Sequence, residues 1–198
     1  MNLIEMIGLL RKDLHDEDSN DYRWSDSELT RHIGRAVKEL SERVPGPARA
    51  ILATTADSRE ITVSGLTNRI MIEAVEFPIN DYPPSFQRFS IWGDIMTIIS
   101  GIEPDGSNCY VYYGTLHTLD SQGSTVPPKH EDLVATGAVA YAALEWAAYA
   151  INKVNVGGAD VAREYRQWGS ERLAAFQEAL GRLGRRQRVR VQRLFEAD

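Results

Sequence analysis

The apolar residues of this chain change their spacing twice, and that limits the fold more than any other feature. Up to residue 44 they recur three and four apart: Leu3, Ile4, Ile7, Leu10 and Leu14, then Leu29, Ile33, Ala36, Val37, Leu40 and Val44. That spacing places them on one face of an α-helix. Between residues 58 and 114 the spacing becomes two, as in Ile61 and Val63, or Ile70, Ile72 and Ala74. Alternation of that kind belongs to a strand with one buried face. After Pro127-Pro128 the helical spacing returns. A chain of 198 residues fits one domain with room for an insertion. The predicted fold is therefore α+β, mainly α: a four-helix bundle with an antiparallel β-sheet inserted between helices 2 and 3.

Local signals set the boundaries. The first helix is expected over 2–14 and the second over 26–44, where Pro45-Gly46-Pro47 stops it. Ser25 and Glu28 form a capping box at the start of the second helix. Gly93-Asp94 lies between Phe89-Ser90-Ile91-Trp92 and Ile95-Met96-Thr97-Ile98-Ile99, which suits a type II′ hairpin. Pro104-Asp105-Gly106 is a second turn, with a strand over 109–113 beyond it, so 58–114 reads as one sheet of four or five strands. Residues 130–154 are dense in alanine, the best helix former, and read as the most buried helix. Gly157-Gly158 ends that segment, and the last helix is expected over 159–183. The domain reading is one helical-bundle domain over 1–184, with 58–114 inserted in it, and an extended C-terminal arm over 185–198.

Charge is unevenly placed. Lysine and arginine number 22 against 28 acids, yet residues 182–193 hold six arginines and no acid. Residues 13–21 hold five acids and no lysine or arginine. The arginine tail has three readings: a solvated end, a nucleic-acid contact, or an arm that becomes ordered on a partner protein. Val189, Val191, Leu194 and Phe195 favour the third, because a purely electrostatic tail has no use for them.

No catalytic constellation is visible. Asp16, Asp18 and Asn20 have the opening spacing of a calcium loop, but Asp21 stands where glycine is required and Ser27 where the final glutamate should be. His15, His32, His117 and His130 are not paired at metal spacing, and no GxSxG, Walker A or GxGxxG motif occurs. The single cysteine, Cys109, cannot form an internal disulfide, lies in an apolar strand and reads as a core thiol from a reducing compartment. No apolar run reads as a membrane span, and the N-terminus is a poor signal peptide. The expectation is a non-enzymatic protein with no cofactor, no metal and no membrane partner. The sheet carries Trp92, Tyr110 and Tyr112, residue types that anchor protein contacts, and these are the expected subunit or tail contacts.

Several of these segments together resemble a known group. Arg11-Lys12-Asp13-Leu14, the acids Asp16 to Asp18, Trp24-Ser25-Asp26-Ser27-Glu28-Leu29 and Ala36-Val37-Lys38-Glu39-Leu40 are similar to the head–tail connector proteins of tailed bacteriophages, also called adaptor or head-completion proteins. Asp132-Leu133-Val134-Ala135-Thr136-Gly137-Ala138, leading to Tyr141 and Glu145-Trp146, is similar to the segment beyond the insertion in such proteins. The resemblance implies a structural virion protein at the neck, present in the host cytoplasm during assembly. It implies a ring, commonly dodecameric, between the portal protein and tail or neck proteins, through which DNA passes without sequence-specific binding. It also implies portal binding by the C-terminal end, here Arg185, Arg186, Arg188, Val189, Arg190, Val191, Arg193, Leu194 and Phe195. The rival reading is a nucleic-acid-binding protein that uses the same basic tail.

Overall fold

The computed structural model describes residues 1–99, 101–150 and 160–195, with 185–195 described by backbone alone. Helices α1 (Leu3–Leu14) and α2 (Asp26–Arg43) come first, and strands β1 (Gly46–Ala53), β2 (Glu60–Thr62) and β3 (Arg69–Glu76) come next. Strands β4 (Phe89–Trp92), β5 (Ile95–Ile98) and β6 (Asn108–Thr115) complete the sheets, before helices α3 (Glu131–Ala150) and α4 (Val161–Phe195). The chain divides into two compact units, one of residues 1–44 and 117–198, the other of residues 45–116.

The helical unit is organised around α3, which packs against α1, α2 and α4. Its apolar residues run around the whole helix: Val134, Ala138, Ala142, Trp146 and Ala150 are buried, and so are Val139, Ala140 and Ala143. Alanine keeps the helix narrow enough for three neighbours to approach. By length and composition alone the segment Pro128–Ala150 is long and apolar enough to cross a membrane, where the sequence reading saw no such run. About two thirds of its most apolar stretch is buried inside the protein, as befits a core helix. Gly137 is needed at its position, because the ring of Phe176 from α4 lies where a side chain would start.

Both early helices begin with a complete capping box. Asn2 and Glu5 form the first, and Ser25 and Glu28 form the second. Where the chain leaves α2 and where it re-enters the unit, His117 ties the two passes together. Its backbone N–H donates to Ser41 Oγ at 2.9 Å, and its Nε2 lies 3.0 Å from the carbonyl of Val44.

The inserted unit holds two three-stranded antiparallel sheets, ordered β1-β6-β3 and β2-β5-β4, where the sequence suggested one. They share a core of Ile61, Val63, Ile72, Val75, Phe77, Met96, Ile98, Cys109 and Val111. The hairpin at Gly93-Asp94 is as expected: Gly93 has φ 59° and Asp94 is not among the positive-φ residues, the pattern of a type II′ turn. The insertion begins earlier than residue 58, because β1 pairs with the full length of β6. Three alanines and a proline gave β1 little strand propensity, and the register with β6 overrides that.

The C-terminal end also differs from expectation. The segment expected as an extended arm continues α4 as helix through Phe195. Arginine is a good helix former, and a helix already nucleated adds residues cheaply. The expected end of α3 after residue 150 and the Gly157-Gly158 link lie outside the described residues.

Candidate interaction surfaces

The Trp24-to-Leu29 motif closes the acidic loop into a clasp. Trp24 is 2% exposed, and its indole N–H donates to the carbonyl of Ala142 at 3.2 Å, fixing the entry of α2 on α3. Ser25 and Glu28 exchange hydrogen bonds, with Ser25 N–H donating to Glu28 at 2.7 Å and Glu28 N–H donating to Ser25 Oγ at 3.3 Å. The Ser25 hydroxyl, which also donates to the Glu28 carboxylate at 2.7 Å, and then the Ser25 N–H hold the Glu28 carboxyl below the usual carboxylate range. Arg11 is buried and reaches Asp16 at 2.7 Å, Asp26 at 2.6 Å and the carbonyl of Trp24 at 3.1 Å. Its guanidinium stacks 3.4 Å from the ring centre of Tyr22. Asp16 also accepts the backbone N–H of Arg23 at 2.7 Å.

Asp16 faces Arg11, and Asp18 accepts the N–H of Asn20 at 3.0 Å, so the three positions do not converge on one point. Among the described residues no group of three or more His, Cys, Asp or Glu is placed to hold a metal ion.

His32, His117 and His130 are buried side chains, and His15 is exposed. His32 is buried and lies 2.5 Å from Glu145, which also meets Arg31. Burial lowers the His32 pKa against the pull of Glu145, so the neutral ring donates its Nε2 proton to that carboxylate. Burial works against charge on Glu145, but the bonds from Arg31 and His32 outweigh it and hold the carboxyl low. His130 is lowered by burial, then by Lys129 and His117. Burial pushes the Cys109 thiol up, away from a reactive thiolate.

Grooves open on the helical unit. One, of about 570 Å³, lies between α2 and α4 and is lined by Arg35, Lys38, Glu39, Glu42, Arg43, Gln177 and Leu180. Another, of about 290 Å³, lies between α1 and α4 at Asp13, His15, Tyr165, Trp168 and Arg172.

The expected contact residues fall on different sheets. Trp92 ends β4, is 89% exposed and stands across from Ile95. Tyr110 and Tyr112 lie half-buried on the β1-β6-β3 sheet, on the face opposite Cys109 and Val111. Arg49 stacks 4.4 Å from the Tyr110 ring centre, and the Tyr112 hydroxyl donates to Glu76 at 2.6 Å. That bond to Glu76, with burial, raises the Tyr112 pKa. The sequence reading missed Tyr82, Ile51, Ile99 and Ile102, all exposed. Apolar residue type gave no sign of exposure there, though the prolines around Tyr82 marked a surface loop. Arg185, Arg186, Arg188, Val189, Arg190, Val191, Arg193, Leu194 and Phe195 continue the backbone of α4, and their side chains lie outside the described residues.

A protein-family model described as SU10 adaptor protein matches residues 1–194. No curated protein matches. Among solved structures, one chain of the neck of a native GTA particle, computed with C12 symmetry, is similar at 10% identity and a TM-score of 0.29. That match covers 81% of this chain and 87% of the other.

Proposed function

Because this chain belongs to the SU10 adaptor protein family, we propose that it is the head–tail adaptor of a phage-type particle, forming a ring between portal and tail. The observation that carries the reading is the family match across both helical segments and the insertion together. The motif residues of the match act as packing and capping groups, which is what a structural adaptor requires of them. In the ring, each subunit presents different surfaces to its two neighbours. Twelve copies surround a channel for DNA, and the net charge of −6 suits a wall that must let phosphates pass. The protein resides in the virion neck and passes through the host cytoplasm during assembly.

The portal contact is assigned to the far end of α4. At 1.5 Å per residue, a helix of 35 residues is about 52 Å long. Its last described neighbour on α2 is Arg43, close to Gly184. Beyond that point, Arg185 to Phe195 offer the portal a basic helix. Arginine suits a carboxylate-bearing surface because its planar fork binds in bidentate fashion. Trp92 is the leading contact to a neighbouring subunit or a tail protein, since its ring is almost fully exposed. Tyr110 and Tyr112 are weaker contacts, because Arg49 and Glu76 already engage them.

Truncation after Gly184 tests the assignment. The truncated protein should keep its fold by circular dichroism and lose portal in a pull-down. Portal captured at wild-type strength would place the contact elsewhere.

A further inference from the structure

Strand β1 is an edge strand with its outer hydrogen-bonding groups unused. Thr54 N–H donates to the carbonyl of Ser107, which continues the β1–β6 register. Alternation from that pair turns the groups of Leu52, Ala50 and Ala48 toward β6. The N–H and C=O groups of Arg49, Ile51 and Ala53 then point away from the sheet. Pro47 falls in the same outward set, where its missing N–H costs no ladder bond. Among the described residues, nothing bonds to the outward backbone groups of Arg49, Ile51 and Ala53.

The other edges are blunted. Strand β3 carries two register shifts, and its end is covered by the segment that bonds Gln87 to Val75 and Phe77 to Ser85. Strand β2 has three residues and β4 has four. Short strands, bulges and coverings are the usual protections of an edge. By contrast β1 has eight residues in unbroken register and a single charge, Arg49. Its core-side residues Ala50 and Leu52 are only half-buried against the shared core, so that core is open along this edge.

We propose that the β1 edge receives an extended segment of another protein of the assembly by β-strand addition. This rests on the ring reading above. A second copy is a poor occupant: among the described residues no other sheet edge offers three outward residues in unbroken register, and β1 against β1 makes a closed two-fold pair, not a ring. The incoming segment supplies apolar side chains beside Ala50 and Leu52 and an acid beside the exposed Arg49. Main-chain bonds give such additions their affinity, and the alternate side chains give them specificity.

The test is residue-resolved hydrogen–deuterium exchange on the free protein and on necks isolated from native particles. The amides of Arg49, Ile51 and Ala53 should exchange fast in the free protein and slow by about tenfold or more in the neck, the value of one added hydrogen bond. The amides of Ala50 and Leu52 should be slow in both. Ile51→Pro removes one outward donor and no β6 bond, so it should fold, enter the neck at wild-type copy number and lose the protection at Arg49 and Ala53. Unslowed amides in wild-type necks would overturn the proposal, as would protection that survives in Ile51→Pro necks. Outward amides already slow in a dimeric free protein would overturn it by assigning the edge to a second copy. Copy number in the neck reads the ring separately, so failure of one reading is not mistaken for failure of the other.

Discussion

Replacing Gly137 with alanine should destabilise the protein, although alanine is the better helix former. A Cβ at Gly137 falls 2.8 Å, 2.9 Å and 2.9 Å from three carbons of the Phe176 ring. Carbon atoms rest about 3.5 Å apart, so the ring or the helix must give by about 0.7 Å. The ring has nowhere easy to go. Phe176 is fully buried and stands edge-on to Tyr141, with centroids 6.5 Å apart and planes at 86°. The Tyr141 hydroxyl in turn donates to Glu39 at 2.5 Å. Overpacking of this kind costs about 1–3 kcal/mol. The helix gains about 0.8–1 kcal/mol from losing glycine. The net expectation for Gly137→Ala is a loss of about 1 kcal/mol, and at most about 2 kcal/mol, read by urea unfolding at neutral pH. Gly34 in α2 supplies the control, since a Cβ there meets nothing within 4 Å, and Gly34→Ala should gain up to about 1 kcal/mol. Phe176→Leu should cost less in the Gly137→Ala background than in the wild type, because the smaller side chain makes room. If Gly137→Ala proves as stabilising as Gly34→Ala, and the two changes at the α3–α4 contact simply add, the packing argument is refuted.

Other contacts carry expectations of their own. Arg11→Met should cost about 3–5 kcal/mol in chemical denaturation, because it leaves Asp16, with a side chain 5% exposed, as a buried charge without its partner. Trp24→Phe should keep the packing and lose the bond to Ala142, for about 1 kcal/mol by the same method. Acid should weaken the protein in two stages. The lowered His32 and His130 contribute stability that is whole above the ordinary imidazole pKa of 6.5 and is lost as pH falls below it, since the unfolded chain binds those protons first. The lowered Glu28 and Glu145 add a second loss as pH falls below 4.5. Thermal melts from pH 8 to about pH 2 should show both stages, and His32→Gln should shrink the first.

The helices were legible because their signals are local. Ser25 and Glu28 lie three residues apart and cap one another, so the start of α2 needs no tertiary information. The Gly93-Asp94 turn was legible for the same reason. Strand β1 was not, because its place depends on β6, more than fifty residues away, and not on its own propensity. The division into two sheets was equally non-local: Phe86 and Gln87 pair with β3 before the chain enters β4 of the other sheet. At the candidate surfaces, Trp92 is exposed, while the partners of Tyr110 and Tyr112 come from neighbouring strands and could not be read. The tail was misread as extended because Arg188-Val189-Arg190-Val191 alternates, although helix α4 was already there to carry it onward.

The central claim is that this protein is a ring subunit at the head–tail junction. A reconstruction of the neck of the native particle by electron cryomicroscopy tests it most directly. The expected result is a closed ring of this chain between portal and tail, with the far end of α4 against the portal. A neck that lacks the chain, or holds a single copy of it, would contradict the claim.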